Sequence, residues 1–424
     1  MKLQRVAGPA ALTGVALMAI AALTLRPAPA QLLDAQRTPL DCLVCGDVGG
    51  ADVLLNIALF VPLGLGLLGL RRSLRFTVAT ALIISLSIEI LQYTLVTGRD
   101  ASLSDILTNT AGGALGWLLG AHGRRLLAPS RRASALLACA GTLLWTIAYA
   151  VSAWALHPAP SGGTYWGQWN HDFPDRGTFA GRVSAAELDG RPLGDGPLPG
   201  TGAIRRRLAS GDFHLAVEAT SGRREEDNSQ IFGLANDEGA IFLEWRQKDR
   251  DYEFTMRGRA ALLRFHSPEL LLRGAAPGTA GVPVTLDVTW RDGVITASAS
   301  AARRVTTRAL VLAPSVSWTF VWPWARDRGG AMEAIGAAWL GASVILIGFW
   351  AGAEAEGRNG GRAEGWGWVG VLWGGVIAGV LWFGPAVFGL LATSIADWLA
   401  VGLGFAIGFL AGRYMPRARS ASGP

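Results

Sequence analysis

The chain is short of the side chains from which metal centres and nucleophilic triads are built. Its 424 residues include three cysteines and five histidines. The histidines (His122, His157, His171, His214 and His266) are scattered, with no serine–histidine pairing, metal-ligand spacing or phosphate-cradling glycine loop among them. Cys42-x-x-Cys45 is followed by Gly46 rather than histidine, which excludes covalent haem attachment. Two thiols without a nearby histidine do not complete a zinc site. Charged residues are sparse as well, at 17%. No metal and no cofactor is expected.

What the chain has is apolar length. Half of its residues are hydrophobic, and runs long enough to cross a hydrocarbon core fall at 6–25, 51–70, 76–96, 104–121, 133–156, 331–351, 366–384 and 386–411. The first has some signal-peptide character: Lys2 and Arg5 precede it, and Ala28-Pro29-Ala30 resembles a cleavage site. Its apolar core is longer than such signals need, so an uncleaved span is expected. Basic residues then set the orientation. Alternate connections hold Lys2, Arg5, Arg71, Arg72, Arg75, Arg124, Arg125, Arg131, Arg132, Arg358, Arg362, Arg413, Arg417 and Arg419, against Arg26, Arg37 and Arg99 in the others. By the positive-inside rule both termini are cytoplasmic in a multi-pass cell-membrane protein. The net charge of +6 is used up in topology, and the bilayer rather than nucleic acid is the expected partner. Cys42 and Cys45 then face outward, where a small disulfide is expected. Cys139 lies inside an apolar run and is expected to pack.

Between the fifth and sixth runs the pattern changes to period-two alternation. Phe213, Leu215 and Val217, then Tyr252, Phe254 and Met256, then Val284, Leu286, Val288 and Trp290 each alternate with polar neighbours. Asp292-Gly293 is a two-residue hairpin signal, and Gly/Pro-rich joints stand at 190–202 and 274–283. Ten or more short strands in an external β-sandwich are expected, on the same side as residues 26–50 and 97–103. Their order over about 165–320 resembles the concanavalin A-like, laminin-G type jelly roll, which implies a domain that binds sugars or proteins, in some cases with calcium. Glu225, Glu226, Asp227 and Asn228 are oxygen-bearing, but a solvated charged turn is the expected reading. Trp166, Trp169, Trp318, Trp322 and Trp324 suit either sugar stacking or the bilayer interface, the latter being expected from their position next to spans.

The residues that most need a reason are polar ones inside apolar runs. Asp52 and Asn56 share one helix face, Ser85, Glu89 and Gln92 another, and Asp105 and Asn109 a third, with Arg99 in the short link between the last two. An aspartate at the centre of a membrane helix costs about 2.5–3.5 kcal/mol on insertion scales. Convergence of the three stripes on an outward-opening pocket is therefore expected, with all eight residues as ligand-binding candidates. Taken singly, Asp52, Ser102 and Asp105 also suit helix capping, and Pro62 suits a bend. These residues carry a resemblance to the VanZ-like family. The matching pieces are Asp52-x3-Asn56-x3-Phe60-Val61-Pro62-Leu63-Gly64, Ser85-x3-Glu89-x2-Gln92, Gly98-Arg99, Ser102-x2-Asp105-x3-Asn109 and Gly112-x3-Gly116, over about 50–121. The resemblance implies a multi-pass membrane protein of a family named after a determinant of teicoplanin resistance.

A segment from Ser102 to Gly120 recurs from Ser394 to Gly412 at a constant offset of 292, with Asp105 matched by Asp397 and Asn109 by Val401. The final spans thus read as a copy that kept its packing glycines and lost its polar stripe. The expected organisation is a first span with its external Cys-x-x-Cys loop (1–50), a VanZ-like helical domain (51–121), a fifth span (122–157), a β-sandwich (158–325) and a three-span partial repeat (326–424). The expected function is an envelope-facing binding module for an amphiphile, a glycan or a lipid-linked precursor. The alternative is a membrane enzyme on a lipid-linked precursor, using Glu89 as acid or base, Arg99 for an anionic group and Asp105 to orient it. Transport by paired bundles ranks third, because the copy lacks the polar stripe.

Overall fold

The computed structural model describes residues 4–26, 44, 46, 48–96, 101–173, 177–223, 228–302, 304–322, 331–356 and 368–414. Arg99, Cys42, Cys45, Glu225, Glu226, Asp227 and Trp324 lie outside the described residues. The chain divides into two units, Met1–Ser130 and, from the other side of that boundary, Arg131–Met415.

The first unit holds helices α1 (Gln4–Thr24), α2 (Gly49–Gly69), α3 (Leu74–Leu95) and α4 (Leu103–Leu127). Ser73 caps α3 by accepting the Phe76 N–H at 3.2 Å, and Ser102 caps α4 by accepting that of Ser104 at 3.1 Å. Phe60, Leu63, Leu67, Ala81 and Ile88 form its buried core with Ala16 and Ile20 of α1. Leu82, Ile83, Leu86, Ile90 and Tyr93 cover the outer face of α3, as expected of a helix bathed in lipid. α2 and α4 touch backbone to backbone. A Cβ on Gly64 would strike the Gly113 carbonyl and the Trp117 N–H, and one on Gly116 would strike the Val61 carbonyl. α2 runs on through Pro62.

The second unit opens with α5 (Arg131–Ala155). A two-sheet region follows, built from β1 (Tyr165–Trp169), β2 (Gly177–Thr178), β3 (Arg182–Leu188), β4 (Arg191–Pro192), β5 (Gly196–Pro197), α6 (Thr201–Ala209), β6 (Phe213–Thr220), β7 (Ser229–Asn236) and β8 (Ile241–Lys248). It continues with β9 (Asp251–Met256), β10 (Glu269–Leu272), β11 (Pro283–Arg291), β12 (Val294–Ala301) and β13 (Arg304–Val311). The short α7 (Pro314–Ser317) leads to α8 (Ala331–Glu356), α9 (Trp368–Val387) and α10 (Ile395–Tyr414). One sheet runs β10-β9-β8-β7-β1-β5, with β2 parallel to β7; the other runs β13-β12-β11-β6-β3-β4. Every other pairing is antiparallel.

The alternating residues face one shared core: Phe213, Leu215, Val217, Leu286, Val288 and Trp290 meet Tyr165, Phe232, Trp245, Tyr252 and Phe254 of the other sheet. Each such burial is worth about 1.5–3 kcal/mol. Asp292 and Gly293 both have positive φ, 50° and 73°, giving the hairpin turn between β11 and β12. The joint expected over 190–202 runs instead into α6, which starts at Thr201.

Among the described residues, seven helices are long and apolar enough to cross a membrane: Ala7–Thr24, Gly49–Gly69, Leu74–Leu95, Arg131–Ala155, Glu333–Ala355, Gly370–Val387 and Ile395–Tyr414. α4 occupies the place of the remaining expected run, but its serines, threonines, Asp105 and Asn109 keep it out of that set. The run expected at 386–411 begins later. α9 ends at Val387, Gly389 takes φ +60°, and Ser394 starts α10 by accepting the Asp397 N–H at 3.0 Å. Cys139 is exposed on α5 rather than packed.

The repeat is larger than its α4–α10 segment. Gly348 of α8 meets the Phe405 carbonyl and Phe409 N–H, as Gly64 of α2 meets Gly113 and Trp117. Gly408 meets the Ile345 carbonyl, as Gly116 meets that of Val61. Every α10 residue here is 292 beyond its α4 counterpart, and every α8 residue is 284 beyond its α2 counterpart. The pair α8–α10 is thus built on the same backbone contacts as α2–α4.

Candidate functional site

The polar stripes of the first unit come together at one end of the four helices, where α1 and α3 finish and α2 and α4 begin. Ser85 is fully buried, Asn109, Glu89 and Gln92 nearly so, Asn56 and Asp105 half-buried, and Asp52 exposed. Asn56 Nδ2 donates to Asp105 Oδ1 at 2.8 Å, linking α2 to α4. Asn109 Nδ2 donates to Ser85 Oγ at 2.9 Å, and Ser85 Oγ donates to the Asp105 carbonyl at 3.3 Å, linking α4 to α3. Glu89 Oε2 accepts the Ser102 N–H at 2.7 Å, so this carboxylate caps the start of α4, where helix charge favours an anion. Gln92 Nε2 donates to the Thr24 carbonyl, the last residue of α1, at 2.9 Å.

Asn56, Asn109 and Gln92 each place one of their two amide N–H donors, and the Ser85 hydroxyl is placed as well. Two acceptors, Asn109 Oδ1 and Gln92 Oε1, are buried without a partner among the described residues. Leaving a buried polar atom unsatisfied costs about 1–3 kcal/mol, so the pair requires an explanation. Asp52 and Asp105 each have a further interaction, and Asp52 sits in the first turn of α2. The eighth candidate, Arg99, is outside the described residues.

In the second unit the corresponding groups are gone. Leu340 stands where α2 has Asn56 and Val401 where α4 has Asn109, and both lie in an apolar cluster with Trp145, Tyr149, Val344, Ile347, Ile377 and Leu381. Asp397, the counterpart of Asp105, is buried and accepts the Ser315 hydroxyl of α7 at 3.1 Å.

Residues 15–123 match the family model described as VanZ/LLP1. This stretch is a VanZ-like domain. No curated protein and no solved structure gives a match. The VanZ-like domain takes in all of the polar end just described, together with the second half of α1, which contributes the Thr24 carbonyl.

The β-region adds two features, one at a tryptophan already named from the sequence for sugar stacking or the bilayer interface. Trp166, half-way out of the surface at 42% exposure, borders a cleft of about 430 Å³ with Gln168, His171, Asp195, Asn236 and Asp237. Trp169 is turned away, its indole donating to the Leu193 carbonyl at 3.2 Å. On the outer face of β7–β9, Arg246 lies between Glu244, at 3.5 Å, and Glu253, beside the buried Gln230. Burial alone would lower the Arg246 pKa, but Glu253, Glu244 and Glu269 outweigh it and raise it. Alternation with Trp245 and Phe254 marks these as solvent-facing positions, so their burial had no signal in the sequence. Among the described residues no group of three or more His, Cys, Asp or Glu is placed to hold a metal ion.

Proposed function

We propose that this is a membrane binding protein of the cell envelope. Its VanZ-like domain holds the headgroup of an amphiphile at the polar end formed by Asn56, Ser85, Glu89, Gln92, Asp105 and Asn109, with Asp52 and Arg99 as further ligand-binding candidates. The observation that carries the reading is the convergence of these buried side chains on one polar end, with two buried amide oxygens, of Asn109 and Gln92, unpartnered among the described residues. In hydrocarbon, buried oxygens of this kind call for a partner. The basic-residue pattern supports an outward-facing site, with both termini cytoplasmic and the β-sandwich outside. In this reading the sandwich is a concanavalin A-like module that engages envelope glycan near the membrane. The open Trp166 cleft, an aromatic face ringed by polar groups, suits a sugar. The family name supports a link to teicoplanin-type glycopeptide resistance through altered access to surface amphiphiles.

The enzyme alternative draws less support. Glu89 spends one oxygen on the Ser102 N–H, a capping role that competes with proton transfer. The test is lipid retention. The full chain, extracted gently from membranes and weighed by native mass spectrometry, is expected to carry a bound lipid that Glu89→Gln reduces. Lipid-free protein, or equal retention by the variant, would remove the proposed function.

A further inference from the structure

In the second unit, apart from the polar end of the VanZ-like domain, a pair of arginines is fastened to the end of a membrane helix. α5 is long and apolar enough to cross a bilayer, and it stops at Ala155. Two main-chain bonds tie the chain beyond β9 to the residues that leave it. The Ala159 N–H donates to the Arg257 carbonyl at 3.0 Å, and the Arg259 N–H donates to the His157 carbonyl at 2.8 Å. Gly258 between them is extended, with φ −90° and ψ 172°, so Arg257 and Arg259 leave the chain on the same side. A one-turn 3₁₀ helix, Arg259–Leu263, follows and leaves Leu262 and Leu263 57% and 37% exposed. Arg259 also marks the level of the bilayer surface. Its guanidinium lies over the ring of Trp154, in the last turn of α5, 5.7 Å from the centroid. A tryptophan at the end of a span, beside basic residues and bare leucines, is the composition of the headgroup layer.

Both arginines line one open cavity of about 530 Å³, which Ser161 and Leu262 line as well. Neither guanidinium has an ion-pair partner among the described residues. The Ser161 hydroxyl is likewise without a partner among them. Glu238 is the only acid on the described lining and is exposed, so two guanidiniums against one carboxylate leave the cavity positive. We propose that this cavity binds the phosphate of a membrane lipid. The N–H fork of arginine matches the oxygens of a phosphate, and stacking on Trp154 leaves the in-plane N–H groups of Arg259 free to form it. A neutral sugar would leave both positive charges unanswered. At the bilayer surface the anion in supply is lipid phosphate, which basic residues held there attract. Leu262 gives the glycerol and the root of the acyl chains an apolar wall beside the phosphate.

The test is native mass spectrometry of the full chain, freed of lipid in a maltoside detergent and given phosphatidylglycerol or diacylglycerol, the same acyl body without phosphate. The parent is expected to bind phosphatidylglycerol about tenfold better than Arg257→Gln/Arg259→Gln, the size of one charge-assisted hydrogen bond. Diacylglycerol is expected to show no dependence on the two arginines. Arg182→Gln, at an exposed position of β3, is expected to match the parent. Arg257→Lys/Arg259→Lys keeps both charges without the forks and is expected to fall between; it stands in for the glutamine variant if that one does not fold. The share lost with the arginines is read apart from lipid held at the polar end, which these variants leave intact. Displacement by excess inorganic phosphate extends the site to the free ion, and no displacement confines it to phosphate carried by a lipid; either supports the proposal. Equal phosphatidylglycerol binding by the parent and the glutamine variant, or the lysine variant where it stands in, overturns it. So does an equal loss in Arg182→Gln. Diacylglycerol or oleate bound as tightly as phosphatidylglycerol, and lost with the same arginines, overturns phosphate as the group recognised.

Discussion

Asn56 Nδ2 and Asp105 Oδ1 lie 2.8 Å apart, so the second turn of α2 is tied to the first turn of α4. In the second unit the same two places hold Leu340 and Asp397, and the aspartate turns to Ser315 for its hydrogen bond. Matched positions thus pair an amide with an aspartate in the first unit, while in the second the aspartate bonds a serine from another element.

This difference predicts unequal costs. Asn56→Leu removes a donor from Asp105, and is expected to destabilise the protein by about 1–3 kcal/mol. Ser315→Ala does the same to the more deeply buried Asp397 and should cost at least as much. Thermal unfolding in detergent, followed by circular dichroism, gives both values. Equal stability of Asn56→Leu and the parent would show that the bond is dispensable.

The shared glycine contacts predict parallel failures. Gly116→Leu drives a side chain into the Val61 carbonyl of α2, and Gly408→Leu into the Ile345 carbonyl of α8. Backbone cannot yield there as a side-chain tip can, so each is expected to cost upwards of about 1–3 kcal/mol and to lower the yield of monodisperse protein. Gly375→Leu, at a site open on α9, is the tolerated control. Size-exclusion profiles of the three variants decide the matter; a normal profile for Gly116→Leu contradicts the close α2–α4 approach.

Outside the bilayer, Asp189 gives a pH dependence. Burial alone would raise its pKa, but the Arg207 guanidinium at 2.6 Å and the His214 N–H at 2.9 Å outweigh that and hold it below the ordinary 3.8. A carboxyl lowered in the folded state stabilises above its unfolded value and loses that contribution as pH falls through the folded one. Asp189→Asn should therefore destabilise the β-region at neutral pH and leave it unchanged in strong acid, where the parent carboxyl is protonated too. The pair is part-exposed, so the expected size is below about 1 kcal/mol. Hydrogen exchange of β3, β4 and β6 at two pH values measures it, and a larger effect in acid than at neutrality would contradict the sign.

The hairpin turn offers a backbone test. Gly293 holds φ +73° next to Asp292 at +50°. Gly293→Val imposes a β-branched side chain on left-handed backbone, at a cost of about 1–2 kcal/mol. Faster exchange of the β11–β12 amides than in the parent is the expected result.

Much of this architecture could be read from the chain because the relevant signals are periodic and local. Alternation at Leu286, Val288 and Trp290 marks a strand face, and helical spacing of Ser85, Glu89 and Gln92 marks a polar stripe. The rest depends on contacts that leave little trace in composition. The α2–α8 half of the repeat rests on backbone contacts at Gly64 and Gly348, and its offset of 284 differs from the 292 of α4–α10, so no single shift aligns both. The Gln92 bond to α1 ends on the main-chain oxygen of Thr24, which any residue would supply. α6 lies behind a Gly/Pro-rich joint and exposes Arg206 and other polar groups while burying only Ile204 and Leu208. The unpartnered oxygens of Asn109 and Gln92 depend on which side chains of α1, α2, α3 and α4 meet, which no local pattern encodes.

The most direct test of the binding site is photolabelling with a phospholipid that carries a diazirine in its headgroup, incorporated into nanodiscs with the full chain and mapped by peptide mass spectrometry. The account predicts labelling within residues 85–109, lost in Asn109→Val. Labelling confined to the lipid-facing side chains Leu82, Leu86 and Ile90, or unchanged by the substitution, would contradict it.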